Sequence, residues 1–488
     1  MKAYMDKHKY GNTETYDLWN AWSEVSGRDI GQMMRSWTEQ MGHPLATVTK
    51  ETWEETSCTL EFQQSWFLAD GSEAEGDEEQ LWNLPLLYTT ASAPGETQLE
   101  MMAGETHTIK IELKNKDDWV KINAGQHTLM RVLYTPEMTL RLEAGVRDRS
   151  LGPEDRASMV SDANALVKAG KMTADQLVRL LPAYKDEDNS TVWKAVAAVL
   201  MGLDKAIMRQ KAKQNNGKRI LKADKKMHGR FCKLAADLLG PIAAAVGWEP
   251  KETDGHSGKL LRATVIELLA TFSAESEEVQ KEAQARFQAH VEDPKAGKAL
   301  PAEYAVPVYK IVLRSGGQKE FDQLMALLEQ CDTQAERKMV YSSIGSCPSE
   351  ALKKKVLEWS VSSVKLQDFF YPLNSVASSG QLGQDLTWEF FRTNFERIKG
   401  MLAKASPSLM DAVILFCCGG FTEESKMQEA SKKNKKNYVK KFFEDNPVPN
   451  NARKLSQMLE SMAINVRFFK TMEASPLSTD SFWESLSI

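Results

Sequence analysis

The stretch SWTEQMGHPLATVT, residues 36–49, decides the fold because the pattern of apolar residues changes within it. Upstream, apolar residues from Ile30 to Met41 recur at helical spacing, whereas threonine and valine follow downstream as in a strand. Gly42 favours the end of a helix, and Pro44 prevents the helix from continuing. We therefore expect a boundary at about residue 44 between a helical piece and a β-rich piece.

The residues before this boundary predict two or three helices. Gly27 terminates one helix, and Asp29 is a suitable N-cap for the next. A piece this short would leave its tryptophans, Trp19, Trp22 and Trp37, poorly covered. We therefore expect residues 1–44 to be the tail of a larger helical body.

Residues 45–136 alternate apolar and polar side chains with a period of two, which is typical of strands. The segment LEFQQSWFL places apolar residues on one face: Leu60, Phe62, Trp66 and Leu68. THTIKIELK does the same with Ile109, Ile111 and Leu113. A β-sandwich of about ninety residues is the natural interpretation.

After Pro136 the strands are expected to stop. Amphipathic helices follow one another to the C-terminus over residues 137–488, separated by glycine, proline and asparagine. Helix pairs of similar length favour a superhelix of the HEAT or armadillo kind, although no clean repeat consensus can be written. The predicted fold class is mainly α with a small β domain, in the order helical tail, β-sandwich and helical superhelix.

The composition excludes several classes of partner. The chain has 488 residues and a net charge of −5, so no global field attracts it to nucleic acid or to an anionic membrane. Two basic runs, at 209–233 and 431–441, offer local charge for phosphate contacts, but neither interleaves stacking aromatic residues. We interpret both runs as solvated connections between helices, and we expect neither a nucleic-acid nor a membrane partner.

The protein is expected to be cytoplasmic. Its N-terminal residues contain no apolar h-region, and its longest apolar runs are about half the length needed to cross a bilayer. The six cysteines are scattered without a C-x-x-C pair, as in a reducing compartment.

No catalytic motif is present in the sequence. Seven histidines are available, and no two lie within four residues of each other. The H-E-x-x-H pattern, which places two imidazoles and a glutamate on one helical face around zinc, is absent. G-x-S-x-G, the P-loop and G-x-G-x-x-G are also absent. We therefore predict no catalytic residue, no metal ligand and no cofactor in this chain.

Three stretches nevertheless resemble the puromycin-sensitive-type zinc aminopeptidases. In residues 8–48 the matching positions are Asp17, Leu18, Trp19, Ser26, Gly27, Trp37, Gln40, Gly42 and Pro44. In residues 117–134 they are Trp119, Val120, Lys121, Asn123, Gly125, Arg131 and Tyr134, and in residues 151–170 they are Asp155, Arg156, Asp162, Leu166, Ala169 and Gly170. Shorter motifs follow in the family's order: STVW (190–193), GWEP (247–250), LLR (260–262), ARFQAHV (285–291) and PVY (307–309).

The resemblance implies that residues 1–44 are the last helices of a peptidase domain. The family's zinc helix, second glutamate ligand, amine-binding loop and oxyanion-stabilising tyrosine would all lie upstream of this sequence. Zinc is therefore implied for the full-length family, while this chain alone is expected to be inactive. The chain departs from the family pattern at Thr128, Leu129 and Met130, and at Ala305, where the family usually has arginine.

Two functions remain open. In the first, the chain is the non-catalytic half of an aminopeptidase and encloses the peptide, and the resemblance suggests that Arg262 meets the peptide's carboxylate end. An ordinary ion pair is the alternative role for Arg262. In the second function, the chain is a non-enzymatic helical-repeat scaffold that binds a protein. The expected partners are peptides and either the missing catalytic domain or another protein.

Overall fold

A computed structural model describes residues 1–72, 80–208, 212–215, 218–221, 225–295, 300–422 and 439–486. The chain forms two compact units, Met1–Ala169 and Gly170–Ile488. The sequence prediction of a mainly helical protein with a small β region is confirmed. The division into three domains at residues 44 and 136 stays a prediction.

The first unit contains five helices and seven strands in its described residues. The helices are α1 (Lys2–His8), α2 (Thr15–Ser26), α3 (Ile30–Thr38), α4 (Pro136–Arg147) and α5 (Pro153–Lys168). The strands are β1 (Pro44–Trp53), β2 (Ser57–Trp66), β3 (Leu84–Thr90), β4 (Ala93–Met102), β5 (Thr106–Glu112), β6 (Val120–Ile122) and β7 (Arg131–Leu133).

The second unit is almost entirely helical where it is described. Its first helices, with one pair of strands, are α6 (Ala174–Leu180), α7 (Ser190–Met208), β8 (Ala212–Asn215), β9 (Lys218–Leu221), α8 (Lys225–Val246), α9 (Gly255–Phe272), α10 (Glu277–Glu292), α11 (Ala305–Ser315), α12 (Gln318–Glu329) and α13 (Gln334–Tyr341). The remaining helices are α14 (Glu350–Ser362), α15 (Phe370–Ala377), α16 (Gln381–Thr393), α17 (Phe395–Leu402), α18 (Pro407–Cys418), α19 (Val439–Asp445), α20 (Ala452–Glu473) and α21 (Asp480–Glu484).

The strands of the first unit form two sheets. One has four strands in the order β5-β2-β1-β7, and the other has three in the order β4-β3-β6. β1 runs antiparallel to β2 and parallel to β7, with Leu45 opposite Arg131. The predicted alternation holds at Leu60, Phe62, Ile109, Ile111 and Leu113, which are all buried. It fails at the end of LEFQQSWFL, because Phe67 is buried while Trp66 and Leu68 are half-buried. Gln64 takes the next inward position of β2, where its amide bonds the carbonyls of Trp82 and Gly104.

The predicted change from helix to strand near residue 44 is observed. Helix α3 ends at Thr38, a few residues earlier than expected, and strand β1 begins at Pro44. Gly42 adopts a left-handed backbone with a φ of +86°, and a Cβ there would lie 2.0 Å from Nε1 of Trp66. Only glycine fits this turn without strain, because it has no Cβ.

The N-terminal helices are better covered than the sequence suggested. Trp19 is buried, and Trp22 and Trp37 are half-buried. Trp37 donates its indole N–H to the carbonyl of Asn83 at 3.2 Å, so the segment before β3 covers part of α3. The expectation that all three tryptophans would be poorly covered was therefore wrong for Trp19.

The expectation that strands stop after Pro136 was also wrong. β8 and β9 pair antiparallel, with Ala212 opposite Leu221. These two strands lie within the basic run 209–233, for which the sequence predicted a solvated connection between helices. Among the described residues, no helix combines the length and the apolar character needed to cross a bilayer.

A buried ion pair joins strand β6 to helix α5. The Lys121 side chain is only 2% exposed, and its Nζ lies 3.4 Å from Oδ1 of Asp155 and donates to the Ile122 carbonyl at 2.7 Å. Asp155 also accepts the backbone N–H of Gly125 at 3.0 Å. Burial lowers the pKa of Lys121, and the charge of Asp155 opposes that shift. The pair therefore keeps an ammonium group in the protein interior.

A second pair joins strand β7 to the same helix. Arg131 contacts Asp162 at 2.7 Å, and Asp162 also accepts the backbone N–H of Val132 at 3.2 Å. The hydroxyl of Tyr134 bonds both the N–H and the carbonyl of Ile122 at 3.0 Å. Six of the residues that carried the family resemblance therefore make polar contacts that link α5 to β6 and β7 or hold this segment together: Lys121, Gly125, Arg131, Tyr134, Asp155 and Asp162.

Replacing Lys121 with methionine should lower the free energy of unfolding of the first unit by about 3–5 kcal/mol, because the buried Asp155 carboxylate loses its cation. The measurement is urea unfolding followed by tryptophan fluorescence. Lys50→Met is the matched control, since Lys50 pairs with Glu61 at 2.7 Å on the surface and should contribute less than about 1 kcal/mol. Equal losses in the two variants would contradict this assignment.

Candidate functional site

The short motifs of the second unit meet around the connection between α8 and α9. Gly247 ends α8 with a left-handed φ of +62°, and the chain then passes Trp248 and Glu249 before α9 begins. Helices α9, α10 and α11 carry the LLR, ARFQAHV and PVY motifs. We call the side chains gathered around this connection the Trp248 cluster: Trp248, Glu249, Asp254, Arg262, Arg286 and Tyr304.

Arg262 lies in α9 with its side chain 2% exposed. Its guanidinium forms a bidentate contact with Asp254. Nη1 donates to Oδ2, and Nη2 donates to Oδ1 at 3.0 Å. Nη2 also donates to the carbonyl of Val246 at 3.1 Å. Arg262 therefore links the end of α8 to the start of α9.

Asp254 is ionised over the whole physiological pH range. The hydrogen bond from Arg262 lowers the pKa of this carboxyl to about 2, and the backbone N–H of Lys251 contributes to the shift. That N–H donates to Oδ2 at 2.8 Å. The carboxylate thus fixes the turn before α9 while it neutralises the buried guanidinium.

Arg286 of α10 is the second buried arginine of the cluster. Its side chain is 8% exposed and contacts Glu249 and Glu282. The guanidinium carbon lies 5.8 Å from the ring centroid of Trp248, within the range of a cation–π contact. Two carboxylates and an aromatic ring therefore surround this charge.

Tyr304 connects the cluster to α11. Its hydroxyl donates to the carbonyl of Trp248 at 2.8 Å, and burial raises the pKa of this hydroxyl to about 12. Ala305, where the family usually has arginine, is buried as the first residue of α11. A long charged side chain at this position would need a partner that the alanine does not require.

The Trp248 cluster is suited to recognition and support rather than to proton transfer. Its two guanidinium groups are paired with carboxylates, and its tyrosine hydroxyl is held by a carbonyl. The prediction that Arg262 meets a peptide carboxylate stays a prediction, since Asp254 occupies the guanidinium in this conformation. The contacts of Arg262 in this structure are those of an ion pair with Asp254.

One set of metal-capable side chains occurs among the described residues: Asp204, His228 and Cys232. Nε2 of His228 lies 2.9 Å from Oδ1 of Asp204 and 3.4 Å from Sγ of Cys232. The hydrogen bond with Asp204 raises the pKa of the imidazole to about 10. This donor set does not fit the zinc centre implied for the full-length family, which needs two histidines one helical turn apart with a glutamate beside them.

The spacing of histidines relative to one another does not reveal this set, because it contains only one histidine. A histidine and a cysteine four residues apart share one face of a helix, and that spacing is visible in HGRFC at 228–232. Asp204 could not be found in this way, since it comes from another helix. The basic run 431–441 lies mostly outside the described residues, and only its last residues, 439–441, fall in α19.

Replacing Arg262 with methionine should lower the free energy of unfolding of the second unit several times more than the same replacement of Arg397. The pair of Arg262 with Asp254 is buried, whereas the side chains of Arg397 and its partner Glu358 are 41% and 55% exposed. Because the pKa of Asp254 is depressed, its stabilisation is present above about pH 4 and is lost as the pH falls towards about 2. The stability difference between the wild-type protein and Arg262→Met should therefore shrink over that range. Urea unfolding at several pH values measures both effects, and a pH-independent difference would contradict the pairing.

Comparison with known proteins identifies the family. The family described as ERAP1-like C-terminal domain matches residues 119–464. Aminopeptidase M1-B of Oryza sativa subsp. japonica is 27% identical over 489 residues, covering 98% of this chain and 51% of the relative. Puromycin-sensitive aminopeptidase of Caenorhabditis elegans is 24% identical over 480 residues, covering 96% of this chain and 47% of the relative.

A yeast relative matches with similar identity and covers a similar share of its own length. Alanine/arginine aminopeptidase of Saccharomyces cerevisiae is 24% identical over 432 residues, covering 88% of this chain and 47% of the relative. The chain thus spans about half the length of the curated relatives it matches. The resemblance to puromycin-sensitive-type aminopeptidases is confirmed. Since the family match extends from Trp119 through most of the helical part, the chain belongs to the ERAP1-like C-terminal domain family.

Proposed function

We propose that this chain is a non-catalytic portion of a zinc aminopeptidase that encloses the peptide and contributes to specificity. The observation that carries the proposal is a match to aminopeptidases along nearly the whole chain, in a sequence without H-E-x-x-H. In this proposal, zinc and the groups that activate water come from a separate segment or chain. Removal of N-terminal residues from peptides would be the activity of the combined protein.

The proposal includes an architecture. The two sheets of the first unit would form a β-sandwich, and the helices of the second unit would form a HEAT- or armadillo-like superhelix. Support comes from successive helices that pack on each other, such as α8 on α9 and α10 on α11. Stacked helix pairs of this kind produce concave surfaces that suit extended ligands.

Arg262 has a defined part in this proposal. A guanidinium can bind a carboxylate through two parallel hydrogen bonds, as Arg262 does with Asp254. To bind the carboxylate end of a peptide, Arg262 would have to exchange Asp254 for the peptide. Substitution of Asp254 should then assist peptide binding. If the pair is purely structural, substitution of either Arg262 or Asp254 would only lower the stability of the protein.

We also infer a cytoplasmic location, with peptides and the zinc-bearing domain as partners and with no nucleic-acid or membrane partner. The six cysteines are all free, and five of them are buried. Free thiols in this number suit a reducing compartment. The net charge of −5 gives no general attraction to phosphate-rich surfaces.

A complementation assay tests the proposed function. The purified chain is mixed with the separately expressed part of Aminopeptidase M1-B that it does not cover, and hydrolysis is measured on an aminoacyl amide and on peptides of increasing length. The chain should accelerate peptide hydrolysis more than amide hydrolysis, because it contributes enclosure rather than chemistry. No change in the rate on any substrate, with both parts folded and in contact, would contradict the proposal.

The same assay separates the two roles of Arg262. Arg262→Ala should shift the preference for peptide length while leaving the rate on the amide nearly unchanged, and Asp254→Asn should strengthen the preference for peptides with a free carboxylate. Arg397→Ala serves as the surface control. If both cluster variants only lower the melting temperature and leave the length preference unchanged, Arg262 is structural.

A further inference from the structure

Three donor atoms from two helices converge on one point in the second unit. His228 and Cys232 are separated by one turn of α8, so their side chains lie on the same helical face. Asp204 reaches them from α7, which packs against α8. The three donor atoms are one oxygen, one nitrogen and one sulfur, and they all lie within 4.8 Å of one another.

The arrangement is not that of a hydrolytic triad. In a triad, the acid holds Nδ1 of the histidine while the nucleophile faces Nε2. Here Asp204 and Cys232 both approach Nε2, at 2.9 and 3.4 Å, whereas Nδ1 is 3.9 Å from Sγ. Asp204 and Cys232 are thus both nearest to the same nitrogen, but the sulfur lies beside the imidazole ring, so a shared metal centre requires the ring to turn towards it.

The separations match those around a small metal ion. With metal–ligand bonds of about 2.0–2.3 Å and tetrahedral angles, donor atoms lie roughly 3.3–3.6 Å apart. The observed nitrogen–sulfur separation is 3.4 Å, and the nitrogen–oxygen separation of 2.9 Å needs to widen by about 0.4–0.7 Å. The oxygen–sulfur separation lies within 4.8 Å. Admitting an ion therefore requires rotations of the three side chains.

Charge and access favour the same conclusion. On binding a divalent cation, the His228 imidazolium and the Cys232 thiol would each release a proton, and the resulting neutral imidazole and thiolate, together with the carboxylate, would balance the charge of the ion. The described lysines and arginines of α8 that flank the set, Lys226, Arg230 and Lys233, form ion pairs with Asp480 or Asp237. The side chains of His228 and Asp204 are 25% and 18% exposed, so an ion can enter and a water molecule can take a fourth position.

We propose that Asp204, His228 and Cys232 form a binding site for one zinc ion that ties α7 to α8. The mixture of sulfur, nitrogen and oxygen donors is intermediate in softness, which suits zinc better than calcium or magnesium. The site would stabilise the junction of the two helices and would take no part in peptide hydrolysis. It differs from the sequence prediction that this chain holds no metal ligand.

Metal titration of the purified full chain tests the proposal. After treatment with a chelator, zinc should bind with a stoichiometry of one ion per chain and raise the melting temperature. Asp204→Asn, His228→Ala and Cys232→Ser should each weaken zinc binding at least tenfold, while His256→Ala, an exposed histidine of α9, should leave it unchanged. Binding that none of the three ligand substitutions weakens would be adventitious and would overturn the proposal.

Cobalt provides a spectroscopic test that does not depend on activity. A cobalt ion bound to a thiolate shows a near-ultraviolet charge-transfer band, which Cys232→Ser should abolish. Cys232→Asp keeps a ligand at this position, so it should retain zinc binding while losing the band. Circular dichroism of the metal-free variants identifies any that misfold. Loss of zinc binding in a folded Cys232→Asp variant, or a band that persists in Cys232→Ser, would overturn the proposal.

Discussion

The first unit depends on keeping the ammonium group of Lys121 inside the protein. Removing such a charge from water costs several kcal/mol, and only a well-placed counter-charge with further hydrogen bonds offsets that cost. Asp155 supplies the charge, and the carbonyl of Ile122 accepts a hydrogen bond. Because the partners come from β6 and α5, the strand and the helix cannot separate without exposing an unpaired ion. The family match begins at Trp119, immediately before this strand.

The same principle governs the second unit. Arg262 and Arg286 are buried, and each is neutralised by carboxylates from neighbouring segments. These pairs fix how the chain passes from α8 through Trp248 to the next helices. Three of the motifs that carried the resemblance, GWEP, LLR and ARFQAHV, contribute Glu249, Arg262 and Arg286 to these pairs. In the proposed function, these buried pairs would support a surface that encloses a peptide, while the bond-breaking groups would come from elsewhere.

Local rules predicted local features well. Gly27 ends α2 in a left-handed conformation, Asp29 accepts the backbone N–H of Gln32, and strand β1 starts at Pro44. Features that depend on distant partners were missed. The sequence could not show that the segment before β3 covers part of α3, that Asp254 pairs with Arg262, or that Asp204 lies close to His228. Each of these contacts forms between segments whose spacing in the chain carries no periodic signal.

The proposed function assigns no peptidase chemistry to this chain by itself. It is tested most directly by incubating the purified chain, saturated with zinc, with an aminoacyl amide and following product release with and without a chelator. The account predicts no chelator-sensitive hydrolysis, because one histidine, one cysteine and one aspartate cannot reproduce the two histidines and the glutamate of the family's zinc helix. Sustained turnover that a chelator abolishes, and that Cys232→Ser or His228→Ala removes, would contradict it.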